Sequence, residues 1–403
     1  MLQILEVISK DKSTIFNKLI AGYQNKIATR TVVIWGAGVL GMQFAMTVKK
    51  YGHAICFCDN DPAKWHSKKI GLEILQPNIL LNNNQKYFIF LAIEESEECA
   101  KQIDKLGYVQ GEDWCNVGVE IEIDFVHRFY EYTSADCLVF ADCICENISY
   151  KDLKQMSLAE KISKEFPVKV VSFNGLTIRA YYHFLMILTR LQSFNTVIFL
   201  LDASSFAPKA HFLKGNQHGD LIGRVIGREK LYNDEQKEFL EDIRQRTNAS
   251  DRMDLYNARN EGADEQQIQR SKKIYTKLNY MYTWDDSCES VVFLKKIGEA
   301  CDAKKISLKF VLMPVNYQMA QQLYGYQFLE KYNDIVSHLT KCLQDSHGEL
   351  IDMSFLLQED EFISIVNTSE GLESSGIEKA SKKILDAVYR RRTHGRVANK
   401  ERK

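Results

Sequence analysis

The sequence predicts an α/β protein of two domains, each built on a parallel sheet, with a helical insertion in the second. Three observations predict it. Short apolar runs alternate with stretches of helical period along most of the 403 residues. The first pair of runs brackets a glycine-rich turn at Gly36–Gly41. The alternation restarts at Cys137 and is interrupted by a polar, charged stretch at 207–285. A chain of this length exceeds one ordinary domain, and 45% apolar residues suffice for two cores.

The glycine turn carries the clearest chemistry. Val32–Trp35 is an apolar run that leads into Gly36-Ala37-Gly38-Val39-Leu40-Gly41. A helical pattern follows from Met42 to Tyr51, then a second apolar run, Ala54–Cys58, that ends in Asp59. In the order strand, turn, helix, strand, acid, each part has a physical job. Gly36 permits the tight turn, Gly38 lets a phosphate approach the backbone, and Gly41 lets the helix pack closely on the strand. Free N–H groups at the helix start face the anion. Asp59 is placed to accept hydrogen bonds from a ribose or sugar hydroxyl. These features define a Rossmann-like nucleotide-binding unit over 31–118. The alternative is a degenerate unit whose glycines serve the turn alone.

The remaining elements follow in order. Residues 1–30 read as amphipathic helices, with Ile4, Leu5, Val7 and Ile8 and then Ile15, Phe16, Leu19 and Ile20 apolar. Tyr87–Ile93 is a nearly continuous apolar run of the buried parallel kind. A helix at Glu95–Leu106 ends at Gly107, a suitable C-cap. Trp114–Asp124 reads as a connector, and 119–136 as the linker. In the second domain, 137–390, strands are expected at Cys137–Phe140, Lys169–Phe173, Thr196–Leu201, Ser307–Met313 and Glu349–Asp352. Helices are expected at Leu158–Glu165, Leu176–Leu191, Cys288–Ala303, Phe328–Gln344 and Ile377–Arg390. The insertion at 207–285 reads as helical, a lid or a homo-oligomer contact. The basic end at 391–403 reads as a frayed, solvated tail.

Composition excludes several classes. Net charge is −1, from 52 basic and 53 acidic residues, which gives no nucleic-acid footprint. The 10 cysteines include the pairs Cys56/Cys58 and Cys143/Cys145 but no CxxC, so no zinc knuckle and no metal site is expected. Reduced, free thiols are the plain reading. The start, MLQILEVISKDK, lacks the pattern of a secretory leader. No apolar run approaches the ~20 residues needed to span a bilayer. A cytoplasmic protein with no membrane span is expected.

Four blocks of the second domain resemble those of the SGNH (GDSL-type) hydrolases, a flavodoxin-like α/β family. Val139-Phe140-Ala141-Asp142-Cys143 stands where the family has a strand ending in Gly-Asp-Ser. Val171-Ser172-Phe173-Asn174-Gly175 resembles the block whose glycine N–H helps form an oxyanion hole. Phe199-Leu200-Leu201-Asp202-Ala203-Ser204 resembles the block with Gly-x-Asn, and Glu370–Gly376 the block with His-Leu-x-x-x-Gly. Leu312-Met313-Pro314-Val315-Asn316-Tyr317 looks like the Pro-x-Asn loop of relatives that acylate cell-envelope polymers. The resemblance implies site residues at Asp142, Cys143, Gly175 and Ser204, and a substrate contact at Asn316.

The departures from that pattern matter as much. Cys143 replaces the nucleophilic serine and Ser204 the asparagine. Gly371 stands at the histidine position, and Thr368 at that of its acid. Acyl transfer needs a base within reach of the nucleophile, and losing it costs orders of magnitude in rate. A thiolate needs less help than a hydroxyl. His211 and His218 are the candidate replacement bases, with Gln217 beside them on a polar loop.

Residues 31–115 also resemble Rossmann-like units fused to enzymes of bacterial surface-sugar assembly. Ile34-Trp35-Gly36-Ala37-Gly38, Phe57-Cys58-Asp59-Asn60-Asp61-Pro62-Ala63-Lys64-Trp65 and Gly71–Pro77 carry the likeness. It implies a nucleotide sugar, with NAD as the other cofactor to weigh. The expected function is surface-polysaccharide (capsule or lipopolysaccharide) biosynthesis by an SGNH-like acyl-type transferase or esterase. The rivals are a non-catalytic scaffold or regulatory binding protein and an NAD-dependent oxidoreductase. The last is weakened because no Tyr-x-x-x-Lys or similar proton-relay pair stands at the right distance after the turn.

Overall fold

The computed structural model describes residues 7–93, 96–173, 175–207, 219–228, 233–245, 264–345, 348–363 and 371–398. It is an α/β protein that divides into two compact units, one ending at Arg128 and the other starting at Phe129.

In the first unit, helix α1 (Lys10–Gly22) precedes the glycine turn, which joins β1 (Thr31–Trp35) to α2 (Val39–Lys50). Then come β2 (Ile55–Cys58), β3 (Lys68–Lys69), β4 (Leu72–Leu75), β5 (Tyr87–Leu91), α3 (Glu97–Lys105), β6 (Trp114–Asn116) and α4 (Val117–Tyr130). The six strands lie in the order β3-β4-β2-β1-β5-β6, parallel except for the β3–β4 pair. The order reverses at β1, which has β2 on one side and β5 on the other. Parallel strands covered on both faces are apolar throughout, and all of β5, YFIFL, is buried. Val33, Trp35, Ile89 and Leu91 pack against Leu80, Ile103 and Tyr108. Side chains alternate between faces, so Phe88 and Phe90 turn the other way, where Phe90 meets Phe44 at 4.8 Å and Phe44 meets Phe16 at 5.0 Å.

The region read as connector and linker is different from that expectation. Trp114–Asn116 completes the sheet as its edge strand, and Val117–Tyr130 is a continuous helix. Val117, Ile121, Phe125, Val126 and Phe129 are buried along it, the 3–4 spacing of an amphipathic helix. That period is plain in the sequence but is masked by the short, unpunctuated junction after Trp114.

The second unit contains β7 (Cys137–Ala141), the one-turn α5 (Cys143–Glu146), α6 (Leu158–Glu165), β8 (Val168–Ser172), α7 (Ile178–Leu191) and β9 (Thr196–Leu201). Among the described residues of the polar stretch, three helices follow: α8 (Gly219–Gly227), α9 (Asp234–Gln245) and α10 (Glu265–Tyr280). The alternation resumes with α11 (Glu289–Ala303), β10 (Ser307–Leu312), α12 (Tyr317–Tyr324), α13 (Tyr326–Asp345), β11 (Glu349–Asp352) and α14 (Ser374–Ala398). The five strands are all parallel, in the order β8-β7-β9-β10-β11.

Helices cover both faces of that sheet. On one face Val139, Leu200 and Val311 pack with Leu158 and Ile162 of α6 and with Ile377, Ala380 and Ile384 of α14. On the other, Phe140, Phe199 and Phe310 stand in register on three neighbouring strands and stack at 4.9 Å. Tyr181 of α7 lies 5.4 Å from Phe140. The final helix continues to Ala398, so the basic segment read as a frayed tail is helical over its first part. Among the described residues, no helix is long and apolar enough to cross a membrane.

Candidate functional site

Each unit brings sequence-singled residues together at the carboxyl ends of parallel strands, beside the point where strand order reverses. Open α/β sheets bind ligands there, because the loops on either side diverge and leave a crevice.

In the first unit, two of the three turn glycines are demanded by space. Gly36 has φ +112°, and a Cβ on it would lie 2.3 Å from Ile93 Cγ2 and 2.8 Å from the Ala92 carbonyl oxygen. A Cβ on Gly41 would lie 1.8 Å from the Gly36 carbonyl oxygen. Gly38 differs. Its backbone is extended, at φ −86° and ψ −169°, and a Cβ there would meet nothing within 4 Å. It is the N-cap residue of α2, and no side chain caps that helix.

Asp59 lies against the same turn, but its carboxylate is committed within the protein. Oδ2 accepts the Ala37 N–H at 3.0 Å and Lys64 Nζ at 3.0 Å, while Oδ1 accepts the Asp61 N–H at 2.9 Å. The Trp65 indole N–H donates to the Asp59 carbonyl at 2.7 Å. Asp59 therefore ties the second strand's end to the glycine turn. Lys64 is shared between two carboxylates, Asp59 at 3.0 Å and Asp61 at 3.7 Å, so it is already ion-paired at the turn. The nearby thiols are held as neutral groups: burial pushes Cys56 up to about 11, and burial raises Cys58 and Cys99 as well.

In the second unit, Asp142, Cys143, Gly175, Asp202 and Ser204 sit on the turns that follow β7, β8 and β9. Asp142 is buried, and its Oδ1 accepts the Cys143 N–H at 2.7 Å and the Gly175 N–H at 3.4 Å. Gly175 adopts φ +87°, a conformation that favours glycine. The Gly175 N–H, which the family resemblance assigns to an oxyanion, thus meets the Cys143 N–H at one oxygen, supplied by the protein's own carboxylate. The Cys143 side chain is half-buried, whereas Cys145 is fully enclosed and burial pushes its thiol well up. Tyr181 fixes the strand end from below, its hydroxyl donating to the Ala141 carbonyl at 2.8 Å.

Ser204 and Asn316 serve their own turns. The Ser204 N–H donates to Asp202 Oδ1 at 2.7 Å, and the Ser204 hydroxyl donates to the same oxygen. Asn316 is buried and caps α12, with Oδ1 accepting the Met319 N–H at 3.0 Å. His211, Gln217 and His218 lie outside the described residues, as does Thr368. Gly371, at the position of the family histidine, has φ +86°.

The sequence offers Tyr280 and Tyr282 as sugar-stacking or, more commonly, helix-packing aromatics; their hydroxyls reach the turn after β9. Tyr280 donates its hydroxyl to Asp202 Oδ2 at 2.9 Å, and Tyr282 donates to the Ala203 carbonyl at 2.8 Å. Sequence reasoning missed that β11 ends as β9 does. Asp352-Met353-Ser354 repeats Asp202-Ala203-Ser204, with Asp352 Oδ1 accepting the Ser354 N–H at 2.9 Å. The repeated Asp-x-Ser is a readable turn signature. The tyrosines carry no such signal, because they enter from outside the strand–helix alternation.

Among the described residues, no group of three or more His, Cys, Asp or Glu side chains is placed to hold a metal ion. No protein-family model matches this chain, and no curated protein matches it.

Proposed function

We propose that the chain serves surface-polysaccharide biosynthesis, with a Rossmann-like first unit that binds a nucleotide-linked sugar and an SGNH-like second unit that handles an acyl-type group. The observation that carries the first half is Gly38. Neither its backbone angles nor its surroundings require a glycine, unlike Gly36 and Gly41. A missing side chain that the fold does not need is explained by a ligand that must approach the backbone. The engaged carboxylate of Asp59 favours a sugar nucleotide over a redox dinucleotide, since the usual ribose acceptor is already occupied.

The second half rests on Cys143 at a strand end beside two convergent N–H groups. Without a histidine at position 371, a thioester donor fits better than an ester, because thiol exchange with a thioester demands little base assistance. The thiolate would attack the acyl carbonyl, and the carboxylate of Asp142 would have to swing aside for the developing oxyanion.

A second reading is favoured by a separate observation. Ser204 and Asn316 are both spent on internal hydrogen bonds, which suits a domain that binds without catalysis. A thermal-shift panel of UDP-glucose, NAD and acetyl-CoA distinguishes these readings, since a ligand of the folded state raises the melting temperature. A shift is expected with UDP-glucose and none with NAD. Limiting iodoacetamide at neutral pH, read by peptide mass mapping, tests the thiol. Cys143 is expected to label first of the ten. Labelling of Cys56 or Cys99 ahead of Cys143 would leave the non-catalytic reading.

A further inference from the structure

The final helix, α14, is longer than the sheet it covers. It runs antiparallel to the strands. Its first turn lies beyond the carboxyl end of β11, where a Cβ on Gly376 would be 2.8 Å from the Glu361 carbonyl oxygen. Ile377, Ala380, Ile384 and Leu385 then pack into the core. By Ala387 the helix is level with the amino half of β10, since the buried Lys309 ammonium donates to the Ala387 carbonyl at 2.8 Å. Lys309 is the third residue of β10, so about 7 Å of strand remains beyond it. Strands β7, β8 and β9 start level with β10. The helix backbone continues through 388–398, about 16 Å at 1.5 Å per residue. It therefore outruns the amino edge of the sheet by roughly 10 Å.

The segment that emerges there is strongly basic. Residues 390–403 hold seven Arg and Lys residues and one acid, Glu401. The other 389 residues hold 45 basic and 52 acidic ones, a net charge of −7. At the same end of the sheet, the turn that enters β10 exposes Lys304 and Lys305 beside Asp302.

We propose that 390–403 docks the chain on an anionic lipid bilayer, and that the second unit meets that surface with the amino ends of its strands. Charge complementarity favours a bilayer over a nucleic acid. A nucleic acid carries its phosphates along whatever surface it crosses, and past this segment it would meet a body of net charge −7. A bilayer presents its charge in a plane and touches what protrudes. A protrusion of roughly 10 Å exceeds the Debye length of about 8 Å at physiological ionic strength, so the acidic body is screened while the basic segment reaches the headgroups. The attachment is peripheral and weakens with salt. Asp142, Cys143 and Gly175, on turns at the carboxyl ends of the strands, then lie at the end remote from the bilayer. The inference is independent of what either unit binds.

The test floats the full chain with vesicles of phosphatidylcholine alone, or with about 30% phosphatidylglycerol, at about 0.05 and 0.5 M NaCl. Binding is expected to the anionic vesicles at low salt, and to neither kind at high salt. Arg390→Ala, Arg391→Ala and Arg392→Ala combined are expected to weaken it roughly 100-fold with the urea midpoint unchanged. The matching triple lysine variant keeps the charge and is expected to bind as the wild type does. If the alanine variant folds poorly, Arg396→Glu with Lys400→Glu, farther from the core, decides in its place. No binding to anionic vesicles, equal binding to neutral ones, or full binding by a folded alanine variant would overturn the proposal. A short DNA duplex is titrated in parallel, and tighter binding to it than to anionic lipid would overturn the bilayer in favour of a nucleic acid.

Discussion

Gly41→Ala is expected to unfold the first unit, while Gly38→Ala, three residues away, leaves its stability within about 1 kcal/mol of the wild type. At position 41 the added carbon would sit 1.8 Å from a backbone oxygen and 2.9 Å from its carbon. No side-chain rotation relieves that overlap, so α2 must move off β1. The cost is expected to be about 4 kcal/mol or more, at the severe end for single substitutions. At position 38 the added carbon enters open space on an extended backbone. There the loss of unfolded-chain entropy, roughly 0.4–1 kcal/mol in favour of folding, is offset by a similar cost for alanine as the N-cap of α2, so the net change is small. Tryptophan fluorescence during urea unfolding separates the two, since Trp35, Trp65 and Trp114 of the chain's 4 tryptophans lie in the first unit. Similar losses at both positions would mean that α2 does not pack on β1 through Gly41 alone.

Acid is expected to loosen the second unit through His183. Its ring is 1% exposed, stacks on Phe239 of α9 at 4.7 Å, and Nε2 has no hydrogen-bond partner. Burial drives its pKa down from 6.5 to about 4, with the nearby Glu235 and Glu289 opposing and Arg179 and Lys296 reinforcing that shift. The unfolded chain therefore takes up a proton before the folded one does. Stability is full above about pH 6.5 and falls as the pH drops toward 4, by on the order of 3 kcal/mol. Below pH 4 this contribution changes no further. The α9 docking site should respond first, because Arg179 bridges Asp242 and Glu289 there and Lys296 pairs with Glu235. His183→Leu removes the titrating ring. Urea midpoints measured from pH 7.5 to 4.5 should show a shallower slope in that variant. An unchanged slope would assign the acid sensitivity to the carboxylates instead.

How much of the molecule was legible in the sequence depends on whether a feature is local. Thr196–Leu201 and Leu158–Glu165 fall where the hydrophobic period puts them, because a buried parallel strand and an amphipathic helix each write their period in consecutive residues. The glycine turn is legible for the same reason, since its parts are contiguous. The engagement of Asp59 is not, because the Ala37 N–H and Lys64 reach it only once the turn has its geometry. Block spacing places Asp142, Cys143, Gly175 and Ser204 on neighbouring strand ends. It says nothing about the direction of a hydroxyl, and that of Ser204 goes to Asp202 rather than outward. Tyr280 is the least legible contact. It links residues 78 positions apart, and nothing near either one distinguishes it from an ordinary helix-packing tyrosine.

Whether Gly38 is kept open for a phosphate is tested most directly by calorimetric titration of UDP-glucose into the wild type and Gly38→Val. The branched side chain would project over the helix start, and its Cβ would meet nothing within 4 Å. Saturable binding to the wild type is expected, with at least about a tenfold loss, some 1.4 kcal/mol, in a variant whose urea midpoint is unchanged. Equal affinity in the two proteins, or no binding to the wild type, would contradict a phosphate site at Gly38.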